Sequence, residues 1–111
     1  MAAEYSSRRR YTRIPLKTRC WCVGDNATLY VHIYNASLGG LFIKTSAPFP
    51  TGEKLKIRWE FPGTQGEHQA SAEVVWFRDD REPPGMGVKF VDVPEATRAV
   101  LEKLAGPEDR H

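Results

Sequence analysis

The sequence predicts a mostly β protein, an antiparallel barrel or sandwich of about six short strands with one α-helix at the C-terminal end. Two observations carry this. Apolar and polar residues alternate with period two in several short runs separated by clusters of Gly, Pro, Asn and Asp, and a single segment near the end switches to helical spacing. With 111 residues, the chain has room for one hydrophobic core and not for two.

In chain order, the first strand is expected at residues 16–23, closed by the turn residues "GDN" at Gly24. The run "TLYVHIY" sets Leu29, Val31 and Ile33 against Tyr30, His32 and Tyr34, and "SLGG" from Ser37 ends it. A short strand at 41–44 is followed by "PFPTG" at Pro48. From there Leu55, Ile57, Trp59 and Phe61 alternate with Lys54, Lys56, Arg58 and Glu60, the pattern of a half-buried strand. After "FPGTQG" at Phe61, the run "QASAEVVWF" places Ala70, Ala72, Val74 and Trp76 on one face. "DDREPPG" at Asp79 is a charged, solvated turn before a last strand at 87–91.

The helix is expected over 92–105, with Asp92 and Glu95 as a capping box, Pro94 in the first turn, and Gly106 and Pro107 as the stop. Its apolar stripe is Ala96, Val100, Leu101 and Leu104. Residues 1–7 and 106–111 read as tails around a domain spanning 8–105, of which 8–13 form an arm.

Composition excludes several classes. The chain is 41% apolar and carries 16 Lys+Arg against 14 Asp+Glu, so it lacks the basic excess of a protein that coats duplex nucleic acid. No apolar h-region occurs in residues 1–10 and no run approaches the ~20 apolar residues of a membrane span, which together predict a cytoplasmic protein without membrane insertion. Cys20 and Cys22 lie two apart on a strand and point the same way, as reduced core thiols. They lack the partner pair that zinc requires, so no metal site is expected. His32, His68 and His111 stand apart from any nucleophile motif, and no catalytic residue is expected. Lys44, Lys54, Lys56 and Arg58 read as solvated strand faces, because no exposed aromatic pair is expected to interleave them as on an RNA-binding surface.

Two elements remain. "RRRYTR" places Arg8, Arg9, Arg10 and Arg13 just before the first strand, where guanidinium forks can grip phosphate or guanine edges in pairs of hydrogen bonds. "NASLGG" places Asn35 and Ser37 two apart, on one face if the backbone is extended, ahead of Gly39 and Gly40. Those glycines supply either a positive φ or a surface without Cβ that a ligand can approach. A plain turn uses the same residue types.

Together these elements resemble the PilZ family of bacterial cyclic di-GMP receptors, whose pattern is RxxxR followed by (D/N)xSxxG. Arg9 to Arg13 fill the first part and Asn35 to Gly40 the second. The likeness continues through "LFIKT", "AEVVWF" and "GMGVKF" into the final helix.

The resemblance implies a six-stranded antiparallel β-barrel with a C-terminal α-helix. It also implies a non-enzymatic receptor that needs no cofactor. Arg9 and Arg13 would hold the phosphates and guanine edges of cyclic di-GMP, Asn35 and Ser37 would hold guanine from the barrel face, and Gly40 beside Gly39 would keep that face open. Arg8 is expected to admit a second, intercalated ligand, and Arg10 either to join it or to face solvent. Trp76 would shield a base or else sit in the core. Ordering of the arm would relay the signal to an unidentified protein partner. A homodimer is an admissible assembly. The alternatives are a PilZ adaptor that works by protein contacts without nucleotide, and a small barrel that binds single-stranded nucleic acid.

Overall fold

The computed structural model describes residues 13–64 and 66–105. Six strands, β1 (Ile14–Val23), β2 (Thr28–Ala36), β3 (Gly40–Lys44), β4 (Lys54–Trp59), β5 (His68–Arg78) and β6 (Gly85–Asp92), precede one helix, α1 (Glu95–Ala105). The strands form a closed barrel in the order β1-β2-β3-β6-β5-β4, with β4 returning to β1 and every pairing antiparallel. Closure settles the choice between barrel and sandwich.

The alternation predicted for β4 is observed: Leu55, Ile57 and Trp59 point into the barrel, while Lys54, Lys56 and Arg58 face water. Ile33, Leu41, Ile43, Val74, Met86 and Val88 fill the interior with them. Each such side chain contributes roughly 1.5–3 kcal/mol by leaving water. Cys20 and Cys22 are free, buried thiols on the same interior face, with their sulfurs 3.8 Å apart. Contact with Cys20, reinforced by burial, pushes the Cys22 thiol far above the ordinary cysteine range, so it stays protonated.

The ends of the barrel are covered by different means. Phe49, from the β3–β4 connection, is buried beside Gly24, where the chain leaves β1. At the start of β5, α1 docks through Leu101, which joins the core, and through Thr97, whose hydroxyl lies 2.9 Å from Nδ1 of His68. The predicted stripe is corrected here: Thr97 and Leu101 are the buried pair, whereas Ala96 is exposed and Leu104 is 45% exposed. The helix also begins later than its sequence signals imply. Asp92 is the last residue of β6, paired with Ser71, and the carbonyl of Pro94 accepts the first helical bond from the Arg98 amide. Strand pairing outcompetes the capping box for Asp92.

Candidate functional site

Two one-residue irregularities build a shared outer face. In β2, Ile33 pairs with Ile43 and Asn35 with Phe42, so Tyr34 and Asn35 together oppose one residue of β3. In β5, Val74 pairs with Val88 and Trp76 with Gly87, so Val75 and Trp76 together oppose one residue of β6. Each β-bulge breaks the period-two alternation and turns the following side chain to the other face. Asn35 therefore leaves the interior series of Ile33, and Trp76 leaves that of Ala72 and Val74. The expectation that Trp76 shares a face with Ala70, Ala72 and Val74 is corrected: those three are buried, and Trp76 is 38% exposed.

The two bulges flank the β3–β6 pair in a single cross-strand row. Pro15, Asn35, Phe42, Gly87 and Trp76 follow one another from β1 to β5. Three strand spacings separate Asn35 from Trp76, or about 14 Å. Phe42 points outward but is almost wholly covered: Trp76 stacks on it at 5.3 Å, Tyr34 meets it edge-on at 5.6 Å, and the Arg78 guanidinium lies 5.0 Å from its centroid. Gly87 leaves room for the indole, since a Cβ there would come within 2.3 Å of the Trp76 ring. The result is an aromatic floor with a cation on it.

At the other end of the row, Nη1 of Arg13 donates a hydrogen bond to Oδ1 of Asn35 at 2.5 Å. These residues belong to the two separate motifs, 22 positions apart, and the fold brings them into contact. Desolvation lowers the Arg13 pKa from its ordinary value, without removing the charge at physiological pH. Arg8, Arg9 and Arg10 lie outside the described residues.

Ser37 and the glycines build the turn that leads from β2 into β3. The strand ends at Ala36, and the Ser37 amide donates to the Gly40 carbonyl at 2.9 Å, folding Ser37 inward. It is 2% exposed, and its hydroxyl accepts from the Gly39 amide at 3.1 Å. Asn35 and Ser37 therefore do not share an outer face, because the extended backbone that would align them stops between them. Neither Gly39 nor Gly40 has a positive φ. Gly40 is glycine because a Cβ would lie 2.0 Å from the Val88 carbonyl, and Gly39 gives its own carbonyl to the Phe90 amide. Both tie β3 to β6, which holds the floor in place.

Phe42, Tyr34 and Arg78 were not singled out from the sequence. The available signal was Phe42 two residues beyond Gly40, where it shares that residue's face, but register across three strands is needed to place Trp76 on top of it. Among the described residues, no group of three or more His, Cys, Asp or Glu side chains could hold a metal ion, and no helix is long and apolar enough to cross a membrane.

Comparisons with known proteins agree with this architecture. The structure is similar to Bacillus subtilis MotI/DgrA, an inhibitor of motility, with a TM-score of 0.75 at 18% identity, covering 88% of this chain and 49% of that one. It is similar to the PilZ domain of Escherichia coli YcgR solved with c-di-GMP, with a TM-score of 0.66 at 22% identity and 88% of each chain covered. Against YcgR in its c-di-GMP complex the TM-score is 0.70 at 25% identity, covering 87% of this chain and 44% of that one. The chain thus spans about half the length of MotI/DgrA and of the longer YcgR chain. No curated protein matches in a sequence search. The family model for the PilZ domain matches residues 7–106, nearly the whole sequence, and so includes both the arginine motif and the strands that carry the outer row: the chain belongs to the PilZ domain family.

Proposed function

We propose that this PilZ domain is a cytoplasmic, non-enzymatic receptor for cyclic di-GMP. Arg9 and Arg13 grip the phosphates and guanine edges, and Asn35 contacts a guanine from the β2 bulge. Trp76, on its aromatic floor, receives a base about 14 Å away along the same row. The observation that carries this reading is the Arg13–Asn35 contact, which joins the two halves of the motif on the outer face. The PilZ domain of YcgR solved with c-di-GMP supports the choice of ligand.

Before binding, the Asn35 carbonyl holds Arg13 in place. A ligand phosphate competes for that guanidinium as a charged acceptor, which forms the stronger bond. The rest of the arm, Arg8 and Arg10 included, then closes over the nucleotide, and Arg8 pairs with a second, intercalated ligand. This ordering is the signal read by a protein partner.

Calorimetric titration with cyclic di-GMP, with GTP and cyclic di-AMP as controls, tests the reading. Saturable, selective binding is expected, with a stoichiometry of two ligands per chain if Arg8 acts as proposed. Absence of both heat and a melting shift would refute it. The buried Ser37, committed to its turn, favours as second reading an adaptor that acts by protein contacts without nucleotide.

A further inference from the structure

A second outer face, on β1, β2, β4 and the end of β3, is not used by the proposed nucleotide site. One cross-strand row there runs Arg58, Trp21, Tyr30, and the next runs Arg19, His32, Lys44. Three permanent cations, one histidine and two aromatic rings thus occupy six registered positions without a carboxylate. Trp21 is 41% exposed and Tyr30 is 49% exposed. Their rings pack against each other with centroids 4.5 Å apart, and the Arg19 guanidinium lies 5.3 Å from the Tyr30 centroid. An exposed aromatic pair thus does lie among basic strand residues, though its rings face each other and are not set apart as on an RNA-binding surface. Alternation could not reveal it, because the pair forms across two strands.

We propose that this face is the docking surface for a protein partner whose contact surface is acidic around an apolar centre. The inference rests on the receptor reading proposed above and names the class of partner to which the signal passes. Trp, Tyr and Arg are the residues that most often carry binding energy at protein interfaces, above all when packed together before the partner arrives. Here the Arg19–Tyr30–Trp21 stack is preassembled, with Lys44, His32 and Arg58 around it. Apolar centre and cationic surround together call for the complementary arrangement on the partner.

The carboxylates at the border decide against a nucleic-acid strand. Glu67 lies 4.0 Å from Arg58, and Glu73 pairs with Lys54 in the β4–β5 register. A phosphate backbone following the β4 cations would meet both carboxylates, whereas a protein can place its own charges between them. The ring faces of Trp21 and Tyr30 are also already turned toward each other rather than displayed as separate platforms for bases.

The test uses amide NMR spectra of the full chain. The probes are a short synthetic peptide of glutamates around a central Trp-Leu pair, the same peptide with lysines in place of glutamates, and an oligothymidylate. The acidic peptide should give saturable shifts confined to the neighbourhood of Arg19, Trp21, Tyr30 and Arg58, weakening as salt rises. Trp21→Ala and Arg19→Glu should each cost about tenfold in affinity or more while keeping the melting temperature and the response to cyclic di-GMP. Shifts elsewhere on the barrel, an equal response to the lysine peptide, or tighter binding of the oligothymidylate would each overturn the proposal. A wild type that fails to bind cyclic di-GMP in the separate titration would instead refute the receptor reading, so the two failures are distinguishable.

Discussion

Gly87 of β6 and Trp76 of β5 oppose each other across the barrel wall, and the indole occupies the space a side chain at position 87 would need. A glycine beneath an aromatic ring sets the ring's height above the sheet, and here that height lets Trp76 reach Phe42. Gly87→Ala therefore lifts the ring from its floor. Because a half-exposed indole can swing outward, the domain is expected to fold with a loss of about 1–3 kcal/mol and to lose most of its affinity for cyclic di-GMP. Near-ultraviolet circular dichroism and a ligand titration read the two effects; an undisturbed aromatic signal would contradict this geometry.

Arg13 precedes β1 and contributes one exposed side chain to the outer surface. Arg13→Ala should leave stability within about 0.5 kcal/mol of the wild type and remove cyclic di-GMP binding. Arg13→Lys keeps the charge but loses the planar fork, and should restore only part of the affinity. Unchanged binding in the alanine variant would discard the role assigned to this residue.

Ser37→Ala removes a buried hydroxyl and leaves the Gly39 amide without its acceptor. Denaturant unfolding should report a loss of about 1–2 kcal/mol, whether or not nucleotide is present. If stability is unaffected and affinity alone falls, the hydroxyl serves the ligand rather than the turn.

Gly40→Ala meets backbone rather than a movable side chain, because the nearest atom is the Val88 carbonyl oxygen in the opposing strand. The β3–β6 pair would have to separate to admit the methyl group, so this variant should be the most damaging of the four alanine variants, above ~3 kcal/mol. Soluble yield and far-ultraviolet circular dichroism measure it. A well-folded Gly40→Ala protein with weakened ligand binding would restore the open-surface role that the motif alone suggests.

The strands themselves were legible because burial on one face imposes alternation, and Leu55 to Trp59 shows that pattern directly. What alternation could not convey is where it is interrupted. Asn35 and Trp76 face outward only because β2 and β5 each gain a residue against their partners, and a bulge is defined by two strands at once. Asp92 illustrates the converse: its local capping signal was sound chemistry, but its amide and carbonyl belong to a strand that pairs with Ser71. The motif residues could be found by spacing, whereas Phe42, Tyr34 and Arg78 required knowledge of which strands are neighbours.

Closure of the sheet has a consequence for how this domain can pass on a signal. Each of the six strands already has a hydrogen-bonded neighbour on both sides over part of its length, so no strand of the described barrel offers a whole free edge to a foreign peptide. Recognition is then carried chiefly by outward-pointing side chains. A few surface substitutions could redirect such a domain from one client to another while its hydrogen-bonded frame stays as it is.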